Sequence, residues 1–257
     1  MMNIGIIGCG SIAKTLVNFQ LEGKMDVNLA YFYDMNIENA RQLADKIGAK
    51  AINSVDELIE KSDLILESAS QGAVKSVIPQ VVESGVDVVI MSVGALMDDE
   101  FRCNLEKLAS DNNATIYLPT GAITGIDTVK AARMGEIYEV SLTTRKPPVS
   151  LGITLDDDKE KVLFEGKASE AVEKFPKNIN VSSTLSLASG INVDVKIIAD
   201  PKIKNNTHEI HLKGSFGELT TITSNVSSPE NPKTSMLAAF SAASLLNKLS
   251  KTIQIGS

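Results

Sequence analysis

Asn3-Ile-Gly-Ile-Ile-Gly-Cys-Gly-Ser-Ile-Ala13 is the stretch of this 257-residue chain that decides its fold. The apolar run Ile4–Ile7 predicts a short buried strand, and Gly8-x-Gly10-x-x-Ala13 follows it directly. This order is typical of the turn between strand and helix in a dinucleotide-binding βαβ unit. Gly8 allows the tight turn, Gly10 lets the backbone approach a pyrophosphate, and Ala13 lets the next helix pack against the strand.

An acidic residue at the end of the second predicted strand supports the same interpretation. The apolar run from Val27 to Phe32 leads to Asp34, which follows Gly10 at about the spacing that this motif has. A carboxylate at this point can accept hydrogen bonds from the ribose hydroxyls of a dinucleotide. No arginine follows Asp34 to pair with the 2′-phosphate of NADP, because the next residues are Met35 and Asn36. The sequence therefore favours NAD as the cofactor, with NADP as the open alternative.

Strands and helices alternate through the first half of the chain, which predicts an α/β fold with a Rossmann-type, doubly wound parallel sheet. Ligands of such sheets bind at the carboxyl ends of the strands and at the N-terminus of the first helix. Small turns that contain Gly or Ser follow the predicted strands. We predict cofactor contacts along this edge from Gly8, Gly10, Ser11, Ile12, Asp34, Ala69, Ser70 and Gln71.

The pattern changes after Thr124. A short helix, a strand and two further helices precede three predicted strands that follow one another closely. These strands span residues 193–199, 208–216 and 218–224. Such closely spaced strands indicate antiparallel pairing and an α+β substrate domain with a mostly antiparallel sheet. We predict a dinucleotide-binding domain at 1–120, completed by a C-terminal helix within 232–257, and a substrate domain at 121–231.

Composition excludes several classes of function. Hydrophobic residues make up 43% of the chain and charged residues 22%, which is typical of a globular protein. The net charge of −7 argues against nucleic acid as a partner, and no apolar run is long enough to span a membrane. Cys9 and Cys103 are too few for a disulfide framework, and the first strand leaves no room for a signal peptide. We therefore expect a cytoplasmic protein.

The chain has two histidines, His208 and His211, on one predicted strand. Because side chains alternate along a strand, His208 shares a face with Ile210 and Leu212, whereas His211 lies on the other, charged face. By spacing alone, a histidine placed like His208 is more often a hydrogen-bonded residue of the core than a catalytic residue. No metal site is predicted, because the two rings point to opposite faces and no third ligand is at hand.

Three polar segments offer partners for an anionic ligand. Lys177, Asn178 and Asn180 crowd the start of a predicted helix, where backbone N–H groups favour anions. A capped, solvated helix start explains this segment equally well. Further cations lie in Thr143-Thr-Arg-Lys146 and at Lys233, and each of them is individually more typical of a surface charge.

Motifs spread over nearly the whole chain carry a resemblance to a known family. They are Gly8-x-Gly10-x-x-Ala13, Ala69-Ser-Gln71, Ser92-Val-Gly-Ala95, Gly121-Ala-Ile-x-Gly125, Thr143-Thr-Arg-Lys146, the segment from Phe164 to Asn180, Ala199-Asp-Pro, Asn206-x-His208-Glu-Ile and Asn231-Pro-Lys-Thr-Ser235. In these motifs the chain resembles the L-aspartate dehydrogenases. It departs from the family at Thr124, where a second glycine is common.

The resemblance implies oxidation of L-aspartate to iminoaspartate, which either feeds NAD biosynthesis or is hydrolysed to oxaloacetate and ammonia. It identifies His208 as the catalytic residue and Ala122 and Asn180 as cofactor contacts on the nicotinamide side. A histidine whose pKa lies near neutrality suits removal of a proton from the aspartate ammonium. The two substrate carboxylates need cationic or N–H partners. Candidates that spacing does not rank are Lys177, Arg145, Lys146 and Lys233, with Asn178 beside them.

Two alternatives stay open at this point. One is a reductase of the dihydrodipicolinate-reductase kind acting on a cyclic imine diacid, although the cationic, histidine-rich substrate loop of that group is missing. The other is a non-catalytic NAD-binding sensor, which would need no acid–base group in its second domain. An exposed antiparallel sheet in that domain would also suit a homodimer interface.

Overall fold

The computed structural model describes residues 2–175, 179–229, 231–253 and 255 of the chain. The chain divides into two compact units. The first unit comprises Met1–Pro119 together with Ala239–Gln254, and the second is built mainly from Thr120–Ala238. Within the described residues, no helix has both the length and the apolar character that crossing a membrane requires.

The first unit is a parallel six-stranded sheet with helices between its strands. Its strands are β1 (Asn3–Ile7), β2 (Asn28–Tyr33), β3 (Lys50–Ala51), β4 (Leu64–Glu67), β5 (Asp87–Ile90) and β6 (Ile116–Tyr117). Its helices are α1 (Ser11–Leu21), α2 (Ile37–Ile47), α3 (Val55–Lys61), α4 (Gln71–Glu83) and α5 (Asp99–Asp111), with a 3₁₀ turn at Val93–Met97. The strand order β3-β2-β1-β4-β5-β6 confirms the predicted doubly wound sheet.

The central strands β1 and β4 are apolar because helices cover both faces of the sheet. Ile4, Ile6 and Ile65 are completely buried there. At the end of β1, Gly8 has a φ of +91°, and a Cβ at this position would lie 2.7 Å from the Cα of Ala69. Only glycine satisfies both constraints, so the turn after β1 lies directly against the loop after β4.

The second unit is a five-stranded sheet in the order β11-β10-β7-β9-β8. Its strands are β7 (Ile137–Lys146), β8 (Lys161–Lys167), β9 (Asp194–Ala199), β10 (Asn206–Gly214) and β11 (Gly217–Asn225). Its helices are α6 (Ile126–Ala132), α7 (Pro148–Leu151), α8 (Ala168–Lys174) and α9 (Asn180–Ser189). The short strands β12 (Ser227–Ser228) and β13 (Asn231–Ser235) pair with each other, and α10 (Met236–Ser250) follows them.

Three of the four pairings in this sheet are antiparallel, which confirms the predicted mostly antiparallel sheet. The exception is β7 with β9, which run parallel. Successive strands were expected to pair antiparallel. This is confirmed for β10 and β11 and wrong for β9 and β10, because β7 lies between them. The loop that follows Ala199 carries the chain past the end of β7 before β10 begins.

The two faces of the second sheet differ in burial. Alternate residues of β7 and β10 face inward and are buried, and these are Val140, Leu142, Thr144, Lys146, Asn206, His208, Ile210 and Leu212. Helix α9 packs against β7 on the covered side. Arg145, Glu209 and His211 lie on the opposite, open face. The predicted faces of His208 and His211 are therefore confirmed.

Candidate active site

The turn after β1 leaves room for a ligand beside the start of α1. A Cβ built on Gly10 would meet no heavy atom within 4 Å, and Gly10 itself is exposed. Helix α1 begins at the next residue, Ser11, and Gly10 offers no side chain to cap it. Packing within the chain therefore does not require glycine at this position, whereas a pyrophosphate approaching the first turn of α1 does.

Asp34 joins this turn to the start of α2. Its Oδ2 accepts a hydrogen bond from the backbone N–H of Cys9 at 2.8 Å, and its Oδ1 accepts from the N–H of Asn36 at 2.9 Å and from the Asn39 amide at 3.2 Å. A carboxylate has about four acceptor positions, so these three bonds orient the group and leave capacity for a ribose hydroxyl.

Cys9 lies inside the same turn and is buried. Burial and, to a smaller extent, the negative charge of Asp34 raise the pKa of its thiol to about 12. The thiolate is the nucleophilic form of cysteine, so at physiological pH this residue is inert. Its role in the turn is therefore that of a small apolar side chain and a backbone N–H donor.

Glu67, at the end of β4, is fully buried and organises two loops at the same edge of the sheet. Its Oε1 accepts hydrogen bonds from the N–H groups of Ala69 and Ser70 at 2.8 and 2.9 Å. The hydroxyl and the N–H of Ser92 donate to the same carboxylate at 2.8 and 3.0 Å. Burial raises the pKa of Glu67, and these four hydrogen bonds oppose the rise. The role of Glu67 is not predicted from the sequence, although an acidic residue at the end of an otherwise apolar strand is a recognisable signal.

The predicted contacts of the first unit meet at this edge. The hydroxyl of Ser68 donates to the carbonyl of Gly8 at 2.9 Å, which holds the loop after β4 on the turn after β1. Ser70 caps α4 by accepting a hydrogen bond from the N–H of Ala73, and Gln71 is the first residue of that helix. Ser11 and Ile12 occupy the equivalent first positions of α1.

His208 lies on the inner face of the second sheet, with 3% of its surface exposed. Its Nδ1 lies 3.0 Å from the hydroxyl oxygen of Thr144, the residue paired with it across β7 and β10. This contact orients the ring through Nδ1. Thr144 was missed at the sequence level because its role depends on the pairing of two strands far apart in the chain.

Lys146 follows on the same inner face and is 5% exposed. Burial lowers its pKa to about 8, and burial together with the charge of Lys146 lowers the pKa of His208 to about 3. The expectation that His208 has a pKa near neutrality is therefore wrong. His208 is neutral at physiological pH, which is the form that a general base needs. The structure also separates Lys146 from Arg145, which lies on the open face and pairs with Glu160.

The turn that contains Ala122 is tied to the neighbouring strand β11. The carbonyl of Ala122 accepts hydrogen bonds from the Thr223 hydroxyl at 3.1 Å and from the Asn225 amide at 2.8 Å. Thr223 is paired with His208, and its hydroxyl also lies 3.4 Å from the carbonyl oxygen of His208. Within the second unit, Ala122 is therefore held close to His208.

The remaining predicted contacts are less informative. Lys177 and Asn178 lie outside the described residues, as does the side chain of Lys233. Asn180 is exposed at the first position of α9, where its carbonyl accepts a hydrogen bond from the Thr184 hydroxyl. In the part of the chain that the structure describes, no cluster of three or more His, Cys, Asp or Glu side chains could hold a metal ion.

Two family models together match most of the chain. The model of the C-terminal domain of aspartate dehydrogenase matches residues 127–249, and that of the NAD-binding domain of homoserine dehydrogenase matches residues 8–119. The L-aspartate dehydrogenase of Methanothermobacter thermautotrophicus is 52% identical over 256 residues, covering 100% of this chain and 99% of that protein. The L-aspartate dehydrogenase of Methanosarcina barkeri is 45% identical over 271 residues, with 100% of both chains covered.

A comparison with solved structures also finds an aspartate dehydrogenase. Aspartate dehydrogenase from Thermotoga maritima matches 100% of both chains with a TM-score of 0.82 and 30% identity. A hyperthermophilic archaeal homoserine dehydrogenase in complex with NADPH has a TM-score of 0.61 at 14% identity and shows the shared fold alone. The fold and the cofactor edge, which is the carboxyl edge of the first sheet with the turn Gly8–Ala13, thus define an NAD(P)-dependent dehydrogenase. Within that class, the chain belongs to the L-aspartate dehydrogenase family, which confirms the resemblance read from the sequence.

The burial of His208 should make the fold sensitive to acid. The unfolded chain binds a proton at this residue near pH 6.5, whereas the folded chain does not bind it until about pH 3. As the pH falls through this window, the unfolded state holds more protons, so the free energy of unfolding should decrease by up to about 1.4 kcal/mol per pH unit. Urea unfolding of a His208→Gln variant should lack this component.

The control is a His211→Gln variant, which should retain the wild-type dependence because His211 lies on the open face. Carboxylates elsewhere contribute equally to all three proteins, so the difference between His208→Gln and wild type isolates His208. Identical pH dependence in wild type and His208→Gln would contradict the assigned burial of the neutral imidazole.

Proposed function

We propose that this chain oxidises L-aspartate to iminoaspartate with NAD or NADP, and that His208 is the general base. The observation that carries the proposal is the buried imidazole of His208, held at Nδ1 by Thr144 at 3.0 Å. The substrate is inferred from the names of the similar proteins, which are aspartate dehydrogenases. A sensor that only binds the cofactor needs no acid–base group in its second domain.

In the proposed reaction, Nε2 of His208 takes a proton from the substrate ammonium, and the freed nitrogen lone pair forms the C=N bond as hydride leaves Cα. Bound NAD(P) is the hydride acceptor. Nε2 can take this proton only if Nδ1 carries the ring proton and donates it to the hydroxyl oxygen of Thr144. The Thr144 hydroxyl can accept this hydrogen bond, so the contact is compatible with the required tautomer and orients the ring.

The low pKa of His208 changes when a substrate with two carboxylates binds. Burial and the positive charge of Lys146 both disfavour imidazolium. The two substrate carboxylates, placed near these groups, offset the charge of Lys146 and raise the pKa of His208. We infer that His208 becomes an effective proton acceptor only in the presence of a dicarboxylate, which couples proton removal to the correct substrate.

Iminoaspartate has two proposed fates. It is hydrolysed to oxaloacetate and ammonia, with His208 available to activate the water, or it passes to NAD biosynthesis. The second fate is supported by the family resemblance. The free cysteines Cys9 and Cys103 agree with a reducing, cytoplasmic location for this chemistry.

L-Aspartate should be the preferred substrate among the amino acids. A site built to bind the second carboxylate discriminates strongly against an amino acid that lacks it. With NAD and a panel of amino acids, absorbance of NADH should show a kcat/KM for L-aspartate at least about 100-fold above those for L-asparagine and L-alanine. Comparable rates with L-asparagine would refute the substrate, and no NADH with any amino acid would favour the sensor.

His208→Ala and His211→Ala form a matched pair on strand β10. Loss of the general base should lower kcat by about 10²–10⁴-fold in His208→Ala. His211→Ala should stay close to wild type, because its ring lies on the open face beside Thr220. Both variants should bind NADH normally by fluorescence, whereas Gly10→Val, whose side chain would fill the space beside α1, should not. An inactive His211→Ala variant with active His208→Ala would overturn the assignment of the base.

We further infer that the open face of the second sheet joins two copies of the chain. It carries Val162 and Ile222, which are 46% and 64% exposed, and a cavity of about 250 Å³ lined in part by Arg145, Glu160 and His211. A two-fold interface places one face against itself, and this face offers both charge signs for that purpose. Light scattering should show a dimer that Ile222→Glu converts to a folded monomer. A monomeric wild type would contradict this inference.

A further inference from the structure

Asn206 is unusual among the buried polar residues of the described structure. It is 0% exposed, and neither its Oδ1 nor its Nδ2 has a hydrogen-bond partner among the described residues. An amide buried without partners costs stability, because its hydrogen bonds to water are lost and not replaced. Groups of this kind in folded proteins call for an explanation, and a bound ligand or an ordered water is one.

The position of Asn206 connects it to the candidate active site. It begins β10 two residues before His208, so the two side chains share the inner face about 7 Å apart along the strand. The same register pairs Thr207 with Arg145, so Asn206 and Lys146 are the next residues along the two strands. An amide, an imidazole, an ammonium and a hydroxyl thus share one buried region, the inner-face patch, formed by Asn206, His208, Lys146 and Thr144.

Asn225 provides an internal comparison, because it is the residue paired with Asn206 on the neighbouring strand β11. It too is a buried asparagine of the same sheet. Its amide donates to the carbonyl of Ala122 at 2.8 Å and lies 3.4 Å from the Thr223 hydroxyl. The Asn225 side chain therefore holds a turn of the fold in place, whereas the Asn206 side chain holds nothing in the described structure.

We propose that Asn206 is a substrate-binding residue that recognises the amino-acid head group. Its Oδ1 accepts a hydrogen bond from the substrate amine, its Nδ2 donates to the adjacent α-carboxylate, and Lys146 pairs with a carboxylate of the same molecule. This assignment rests on the proposed function. An amide presents one acceptor and one donor side by side, and an α-amino acid presents the complementary donor and acceptor on neighbouring groups.

The electrostatics of the inner-face patch agree with an anionic ligand. Burial lowers the pKa of Lys146 to about 8, so removal from water disfavours its charged form. A carboxylate placed in the patch stabilises that charged form and offsets the cost. The same carboxylate lies close enough to His208 to act on its charge. The Asn206 amide, the Lys146 ammonium and the His208 imidazole therefore interact with one ligand.

An Asn206→Leu variant tests the assignment, with Asn225→Leu as the matched control. Removal of an unpartnered amide should leave the melting temperature of Asn206→Leu equal to or above that of wild type. Its KM for L-aspartate should rise at least about tenfold, since two hydrogen bonds to charged groups are lost. NADH should bind with unchanged affinity. Asn225→Leu should instead lower the melting temperature, because the carbonyl of Ala122 loses a donor.

Succinate, which has both carboxylates and no amine, separates the two contacts of the amide. Its inhibition constant should rise less in Asn206→Leu than the KM for L-aspartate does, because succinate offers no N–H group to Oδ1. Equal increases would overturn the contact with the amine. A lowered melting temperature with an unchanged KM would overturn the whole assignment and make Asn206 a structural residue.

Failure of the proposed function has a different signature. In that case wild type forms no NADH from L-aspartate, and the rise in melting temperature caused by L-aspartate in the presence of NAD becomes the readout. A smaller rise in Asn206→Leu than in wild type supports the binding role, and an equal rise overturns it.

Discussion

Removal of polar side chains from water on the inner face of the second sheet is the constraint on which the candidate active site depends. Strand alternation puts Thr144 and Lys146 on the same side as the apolar Leu142, and it puts His208 beside Ile210. Burial in these surroundings lowers the pKa values of both the imidazole and the ammonium. The fold thereby sets the protonation state of His208, because a buried imidazole next to a cation stays neutral.

The buried carboxyl group of the first unit differs from these groups, because its hydrogen-bond partners come from within the chain. The Glu67 carboxylate is completely buried, yet four hydrogen bonds from two loops satisfy it. Those bonds lock the backbone next to Gly8, where a rigid surface suits a cofactor. Polar groups satisfied within the chain thus support the shape of the cofactor edge. In the second unit, the amide of Asn206 lacks such partners among the described residues, which is what a group reserved for a ligand requires.

Local pattern predicted most of the long elements and the faces of the histidine strand. The β1 turn and the start of α1 follow from glycine spacing, and the opposite faces of His208 and His211 follow from the two-residue period of a strand. The elements that were missed are short or lie at an edge, such as β3 with two residues and β8 beside β9. So few residues carry too little periodicity to be recognised, and an edge strand is specified by its neighbour rather than by itself.

The sequence by itself determined the parallel sheet of the first unit, the position of the cofactor turn and the family. Each follows from short motifs or from the order of the elements, which can be recognised without any tertiary contact. Only the tertiary structure decided that Lys146 rather than Arg145 joins His208, because the choice depends on the register between β7 and β10. The low pKa of His208 and the isolation of the Asn206 amide were likewise beyond local pattern. Desolvation and hydrogen-bond partners arise from groups that meet only when distant strands pair.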